Sequence, residues 1–226
     1  MDCPLARPDH SRRPVCSAGA RCPRGASVPG MTSDPAAIDA RFPGLRADVV
    51  KGYLDAPEHV VAEVLDGELF TMPRPRLRHA RGSSRLGMLL GGPFDLGVNG
   101  PGGWVILDEP ELHLGPRPDI IDPDLAAWRR GRMPELPDEA AITLVPDWVC
   151  EVIPASTEAI DRGRKRRIYR REGVGHLWLL SPELRTLEVY RLENGRWTEV
   201  ETYEGDAVVR AEPFEAIEFP LDRLWV

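Results

Sequence analysis

Short apolar runs separated by turn signals characterise the chain and predict an α/β fold. Asp66-Gly67 lies between two apolar runs, and Asn194-Gly195 lies between two others. Such pairs are strong hairpin signals, because both central residues of the tight turn take positive φ values. The predicted strands cover residues 60–65, 68–72, 104–107, 118–121, 148–153, 176–180, 186–192 and 196–203.

Three segments are predicted to be helical. The third begins at a cap formed by Ser156 or Thr157 and ends before Gly173. Because it lies between two apolar strands, we expect it to be a crossover helix of an α/β sheet. Residues 122–138 are polar and contain three prolines, so we expect an excursion between strands there. The helical segments are 34–54, 79–90, which Gly91-Gly92-Pro93 should end, and 156–172.

Composition indicates one domain with an N-terminal appendage. The 226 residues are 42% hydrophobic, enough to bury a sizeable core. Residues 1–33 lack apolar periodicity, so we expect a disordered tail or a mis-assigned start, with translation beginning at Met31, and a single domain over residues 34–226. No apolar run is long enough to cross a bilayer. The four cysteines form no CxxC pair, which suits the cytoplasm, and Cys150 should be a small buried side chain.

Glu151 interrupts an otherwise apolar strand. Burying a carboxylate is costly unless it is paired or binds a metal, although a strand-end carboxylate that reaches solvent or an arginine is the alternative. Asp119 lies in another short apolar strand. If the strands are neighbours, about 4.8 Å apart, the two carboxylates would suit Mg²⁺, with Mn²⁺ as a substitute. Asp147 shares a strand face with Glu151 but lies about 13 Å away, too far to share one ion.

A cation is needed beside these carboxylates to stabilise charge on an attacked phosphate. In a strict ExK arrangement it would stand two residues after the glutamate, where the chain has Ile153. The next helix offers Lys165 instead. An ordinary ion pair between Lys165 and the residue four positions earlier is the alternative. One face of that helix, about 100° wide and expected to point inward, carries Asp161, Lys165, Ile168 and Tyr169.

The net charge of −7 argues against a surface that binds nucleic acid everywhere, so a nuclease would need a locally basic cleft. Runs of arginine usually form solvated helix faces, but a basic helix beside a carboxylate pair would supply this cleft. The arginines of the third helical segment are Arg162, Arg164, Arg166, Arg167, Arg170 and Arg171.

The chain resembles the Uma-type family of restriction endonucleases, within the PD-(D/E)xK superfamily, over about residues 60–226. The resemblance implies a mixed sheet flanked by helices with β-hairpin extensions, and Mg²⁺-dependent hydrolysis of DNA by a homodimer. It makes Asp119 and Glu151 the metal ligands and Lys165 the displaced lysine of the motif. The matching motifs are Arg-Pro-Asp119-Ile, Pro-Asp-Trp-Val-Cys-Glu151-Val-Ile, Ser156-Thr157, Asp161, Lys165, Tyr169, Gly173-Val174 and Trp178, with weaker matches at 65–69, Met72, His79 and 219–224.

Departures from the family pattern leave other functions open. Pro154 stands where the family usually has serine, Leu177 replaces an aromatic residue, and residues 122–145 form a long polar insertion. A catalytically weak or inactive dimeric protein that binds nucleic acid is the main alternative, and a hydrolase of another phosphate ester is a third.

Several residues outside the motif receive structural interpretations. We expect His79 to be a helix-start or surface histidine rather than a substrate contact. Glu63 and Glu68 flank the first hairpin and are expected to be exposed carboxylates, with a position in the site as the alternative. The six tryptophans are expected to belong to the core.

Overall fold

The computed structural model describes residues 40–153 and 160–225; the predicted tail, Pro154 and the predicted cap at Ser156 or Thr157 lie outside them. The α-helices are α1 (Ala47–Leu54), α2 (Leu77–Leu90) and α3 (Arg166–Glu172). The first strands are β1 (Val60–Leu65), β2 (Glu68–Pro73), β3 (Trp104–Asp108), β4 (Leu112–Leu114), β5 (Asp119–Ile121) and β6 (Leu125–Arg129). The remaining strands are β7 (Trp148–Val152), β8 (His176–Ser181), β9 (Thr186–Glu193), β10 (Arg196–Glu204), β11 (Val208–Val209) and β12 (Phe219–Pro220).

A six-stranded mixed sheet in the order β10-β9-β8-β7-β6-β3 forms the centre of the fold. Strands β7 and β8 run parallel, and the other neighbouring strands of this sheet run antiparallel. The predicted crossover between β7 and β8 is confirmed, with α3 lying between them in the chain. A second, four-stranded sheet has the order β2-β1-β5-β4. The predicted mixed α/β fold is therefore confirmed.

Both predicted hairpins are confirmed, with positive φ at each central residue. Asp66 and Gly67 have φ values of 54° and 77°, and Asn194 and Gly195 have values of 49° and 72°. Gly173 ends α3 at a φ of 86°, as predicted. Residues Ile160–Lys165, which precede α3, form a π-helical turn rather than an α-helix.

Strand β7 is buried on both faces of the six-stranded sheet, which accounts for its nearly continuous apolar sequence. Trp148, Cys150 and Val152 face a core that includes α2, whereas Val149 and Ile153 face a core that includes α3. Glu151 belongs by alternation to the α3 side. Cys150 is fully buried, as predicted, and Trp104, Trp128, Trp148 and Trp178 are fully buried core residues. No helix in the described ranges is long and apolar enough to cross a membrane.

The segment predicted to be a polar excursion contains a buried strand, so this prediction is wrong. Strand β6 lies between β3 and β7, and its residues before Arg129 are buried. Its Leu-Ala-Ala-Trp sequence has no β-branched residue, so local propensity did not identify it, and tertiary pairing determines the strand. The start of the second helix is also two residues earlier than predicted, and a π-helical turn, Gly91–Asp95, follows it directly.

Candidate active site

Glu151 is buried at the centre of the six-stranded sheet and faces α3. The Lys165 Nζ donates to Glu151 Oε2 at 3.1 Å, and the Tyr169 hydroxyl donates to Glu151 Oε1. Burial raises the pKa of Glu151 well above its usual range, and the Lys165 charge opposes this shift. Lys165 points at the sheet, as its position on the inward helical face predicted.

Lys165 joins three carboxylates rather than one. Its Nζ lies 2.9 Å from Glu63 Oε1 and 3.7 Å from Asp161 Oδ1, so the pair with Asp161 exists beside the contact with Glu151. Only 4% of Lys165 is exposed. Burial alone would lower the pKa of Lys165, but the three carboxylates hold it well above its ordinary value. The lysine is therefore a charged ammonium group buried among acids.

Glu63 belongs to this cluster, so the prediction that it is an exposed hairpin carboxylate is wrong. Its exposure is 0%, and its Oε1 accepts the backbone N–H of Asp122 at 3.0 Å. The buried oxygens Glu63 Oε2 and Asp122 Oδ1 have no hydrogen-bond partner among the described residues. Burial, followed by the Glu63 charge, raises the pKa of Asp122 to about 7. Glu68, by contrast, is exposed as predicted and pairs with Arg164 at 2.7 Å.

Asp124 brings a further carboxylate beside Glu151. Leu125 pairs with Cys150, so Asp124 stands at the position opposite Glu151 on the neighbouring strand. One oxygen of Asp124 accepts the Val152 N–H at 2.7 Å, and the other lies 3.2 Å from His79 Nε2. His79 lies in the first turn of α2, as predicted for a helix-start histidine, but it is only 9% exposed and so is not on the surface. Burial lowers the pKa of His79, but the hydrogen bond with Asp124 outweighs it and the net pKa is raised.

These groups line one cavity of about 1040 Å³. Eight carboxylates line it, against three arginines, Lys165 and His79, and five of the carboxylates lie around Lys165 and His79. Such an excess of buried negative charge is unfavourable unless protons or a further cation compensate it. The five acids are Glu63, Asp122, Asp124, Glu151 and Asp161.

Asp119 lies in a different, smaller cavity, and the assumption that its strand neighbours β7 is wrong. Strand β5 pairs with β1 and β4, whereas β7 pairs with β6 and β8. Asp119 Oδ1 accepts the Asp66 N–H at 2.5 Å, and its Oδ2 pairs with Arg171. The ligand role of Asp119 stays a prediction. It depended on β5 lying next to β7, and the two strands are not neighbours.

Asp147 is held elsewhere, in agreement with its exclusion from the predicted site. Its carboxylate accepts the Arg129 N–H at 2.7 Å and pairs with Arg132 at 2.7 Å. Both contacts tie β7 to the end of β6, away from the acidic cavity.

The arginine-rich helix does not present the free basic surface that its sequence suggested. Arg162 forms a two-pronged ion pair with Glu188, at 2.7 and 2.5 Å. Arg164 pairs with Glu68, and Arg167 lies 3.7 Å from Asp66. Arg171 contacts Asp66, Asp119 and Glu172. Much of the positive charge on this helix is therefore already compensated by carboxylates of the same chain.

The donor set fits a divalent cation that keeps part of its water shell. Within residues 40–153 and 160–225, no three His, Cys, Asp or Glu side chains already form a ready metal site. Two unpartnered carboxylate oxygens nevertheless lie in the acidic cavity, on Glu63 and Asp122. Mg²⁺ commonly takes one or two protein carboxylates and completes its shell with water and phosphate oxygens.

The mixed sheet, its crossover helix and the buried carboxylate–lysine cluster define an α/β protein of the restriction-endonuclease-like class. The sequence model of the Uma2 family, described as "Putative restriction endonuclease", matches residues 50–222, and the chain belongs to this family. The fold is similar to the crystal structure of "a putative nuclease belonging to DUF820" from Anabaena variabilis ATCC 29413, at a TM-score of 0.62 and 18% identity. That match covers 77% of this chain and 96% of the other. No curated protein matches the sequence.

Proposed function

We propose that the protein is a Mg²⁺-dependent endonuclease that hydrolyses phosphodiester bonds of DNA and that accepts Mn²⁺ as a substitute. Membership of a family described as "Putative restriction endonuclease" supports nuclease chemistry. The observation that carries the proposal is the buried ammonium group of Lys165, held 2.9 Å from Glu63 and 3.1 Å from Glu151 in an acidic cavity. This combination of hard oxygen donors and a fixed cation suits attack on a phosphate.

Glu63, Asp122 and Glu151 are the residues we assign to metal binding. Glu63 and Asp122 each offer a buried oxygen without a partner, and Glu151 lies against the same lysine as Glu63. Mg²⁺ bound there would neutralise phosphate charge and promote ionisation of a water molecule. The assignment retains Glu151 from the sequence and moves the second acidic position from Asp119 to Glu63 and Asp122.

The chain's own groups hold the lysine and the glutamate in fixed positions. Tyr169 and Lys165 donate to opposite oxygens of Glu151, which fixes the orientation of the carboxylate. The positive charge of Lys165 can orient an attacking water and stabilise the negative charge that develops on the phosphate oxygens. In the reaction, the water oxygen forms a bond to phosphorus, one P–O ester bond breaks, and the leaving oxygen takes up a proton.

A nucleic-acid-binding protein without turnover is the second candidate. The absence of a ready three-residue ligand group in the described parts of the chain favours it. Such a protein would bind DNA but would show no metal-dependent cleavage. The homodimer implied by the family resemblance remains a prediction for either candidate, and sedimentation equilibrium of the full chain tests it.

Nicking of supercoiled plasmid by the full chain tests the proposed function. We expect nicking with Mg²⁺ or Mn²⁺, none with EDTA, and a loss of at least about a hundredfold in Glu151→Gln, as for other groups that stabilise the transition state directly. Glu68→Gln is the matched control, because it removes an exposed carboxylate outside the cavity. Folded wild-type protein that binds DNA without nicking it would favour the second candidate.

A further inference from the structure

A DNA substrate needs uncompensated positive charge beside the acidic cavity, and several arginines of residues 162–171 are already paired with carboxylates. Non-specific affinity for DNA comes mainly from cations that replace counterions on the phosphates. An arginine already paired with a carboxylate of its own chain must give up that partner first. This is the position of Arg162, Arg164 and Arg171.

A second group of arginines lies on the chain just before α2 and along its first half. No acidic residue occurs between Glu68 and Asp95, so the side chains of this stretch carry positive charges and no negative charge. We refer to residues 74–85 as the arginine segment. Its arginines are Arg74, Arg76, Arg78, Arg81 and Arg85.

The outer arginines of this segment keep their charge uncompensated. Arg74 donates to the Glu58 carbonyl at 3.1 Å and Arg85 to the Arg223 carbonyl at 3.0 Å, which positions both guanidinium groups without neutralising them. Arg76 and Arg78 are exposed. Among the described residues, no carboxylate forms an ion pair with Arg74, Arg76 or Arg78.

The arginine segment borders the same cavity as the carboxylate–lysine cluster. Arg74, Arg76 and His79 line that cavity together with Lys165 and Glu151. The Nδ1 atom of His79 is buried and has no hydrogen-bond partner among the described residues. The segment therefore supplies positive charge at the border of the acidic cavity.

The start of α2 adds a favourable field at this border. Arg76 is its N-cap and makes no capping hydrogen bond, and the first turn contains no acidic side chain. The free N–H groups and the positive end of the helix dipole therefore reinforce the arginines. Anionic phosphate groups bind readily at such helix starts.

We propose that the arginine segment binds the phosphate backbone of duplex DNA and holds it across the mouth of the acidic cavity. This inference rests on the proposed nuclease function and assigns its substrate-binding surface. Arg162, Arg164 and Arg171 instead maintain ion pairs within the protein. Arg74 and Arg76, which line the cavity, and the neighbouring exposed Arg78 are the central phosphate contacts, because no carboxylate in the described ranges pairs with them.

Fluorescence anisotropy of a labelled DNA duplex tests this proposal with the full chain in EDTA, where no metal-dependent cleavage occurs. The test variant replaces Arg74, Arg76 and Arg78 with glutamine. The matched control replaces Arg164, Arg166 and Arg167 with glutamine as well, so each variant loses three positive charges. We expect the test variant to bind at least about tenfold more weakly at 0.1 M salt, and its slope of log affinity against log salt to fall by about 2 to 3.

The matched control should change that slope by less than about 1. Equal losses in both variants, or a larger loss in the control, would overturn the proposal, as would a wild-type protein that binds no DNA. Thermal unfolding of both variants checks that they are folded. Tighter, equally segment-dependent binding of a single-stranded oligonucleotide would overturn the assignment to duplex DNA.

The binding test remains independent of the proposed function. Segment-dependent binding without nicking in Mg²⁺ would support the DNA surface and contradict the nuclease. Metal-dependent nicking with unchanged binding in the test variant would support the nuclease and overturn the surface.

Discussion

Replacing Lys165 with methionine removes the one lysine of the acidic cavity and keeps most of the side-chain volume. The lysine is 4% exposed and lies 2.9 Å from Glu63 and 3.1 Å from Glu151. In the variant, the two glutamates remain buried without their shared cation. We therefore expect a large loss of stability together with the loss of any nuclease activity.

The magnitude of the stability loss follows from the burial of the pair. Removing one partner of a buried ion pair costs about 3–5 kcal/mol, because the remaining charge is uncompensated. A surface pair costs about 0.2–1 kcal/mol. Lys51 and Asp55 form such a surface pair, with Lys51 75% exposed, so Lys51→Met is the matched control.

Urea unfolding at pH 7 measures both variants. A loss of 3–5 kcal/mol is a large fraction of the roughly 5–15 kcal/mol of a typical domain, so Lys165→Met should unfold at much lower urea. The double variant Lys165→Met/Glu151→Gln also removes one of the two buried carboxylates that have lost their lysine. We expect it to be more stable than the sum of the single effects predicts, by about 1–3 kcal/mol.

Two results would refute this reasoning. A loss below about 1 kcal/mol in Lys165→Met, equal to that of Lys51→Met, would show that the lysine is not buried among charged acids. Strict additivity in the double variant would show that Lys165 and Glu151 are not coupled.

Three further predictions concern the surrounding structure. Asp119→Asn should retain nicking activity but lose about 1–3 kcal/mol of stability, because the carboxylate of Asp119 accepts the Asp66 N–H and pairs with Arg171. Loss of nicking in the folded variant would restore the predicted ligand role of Asp119. Arg162 lowers the pKa of Glu188 from 4.5, so this carboxylate stabilises the fold above that pH and loses its contribution as the pH falls through the lowered value. Urea unfolding should therefore show Glu188→Gln about 1 kcal/mol less stable than wild type at pH 7, with a smaller difference at pH 3.5, and an unchanged difference would contradict the pairing. Phe214→Ala should cost about 3–5 kcal/mol in the same assay, because its ring packs against four aromatic rings; a cost below 1 kcal/mol would contradict this packing.

Local chemistry made much of the fold predictable. Asp66-Gly67 and Asn194-Gly195 required positive φ values, and the structure has them. Glu151 is the single charge of β7, and Lys165 and Tyr169 share one helical face. These two patterns indicated the contact between Glu151 and Lys165 at the centre of the site. Each of these features depends on a few adjacent residues or on a regular repeat, which sequence patterns express directly.

The remaining site residues depend on strand pairing, which the sequence does not specify locally. Residues 117–124 contain two Pro-Asp pairs, at Asp119 and Asp124, and only the pairing of β6 with β7 brings the second of them opposite Glu151. The burial of Glu63 was not predictable locally, because a single hairpin strand does not reveal what covers its faces. Its burial follows from the approach of Lys165 and Asp122.

Counting bound Mn²⁺ tests the central claim most directly, because that claim is that the acidic cavity holds a divalent cation. The spin-resonance signal of free Mn²⁺, titrated with the full chain, gives the number of bound ions and their affinity. We expect binding by wild type and by Glu68→Gln, and a loss of at least about tenfold in affinity for Glu63→Gln, as for other changes around a metal site. Unchanged binding in folded Glu63→Gln, or an equal loss in Glu68→Gln, would contradict the account.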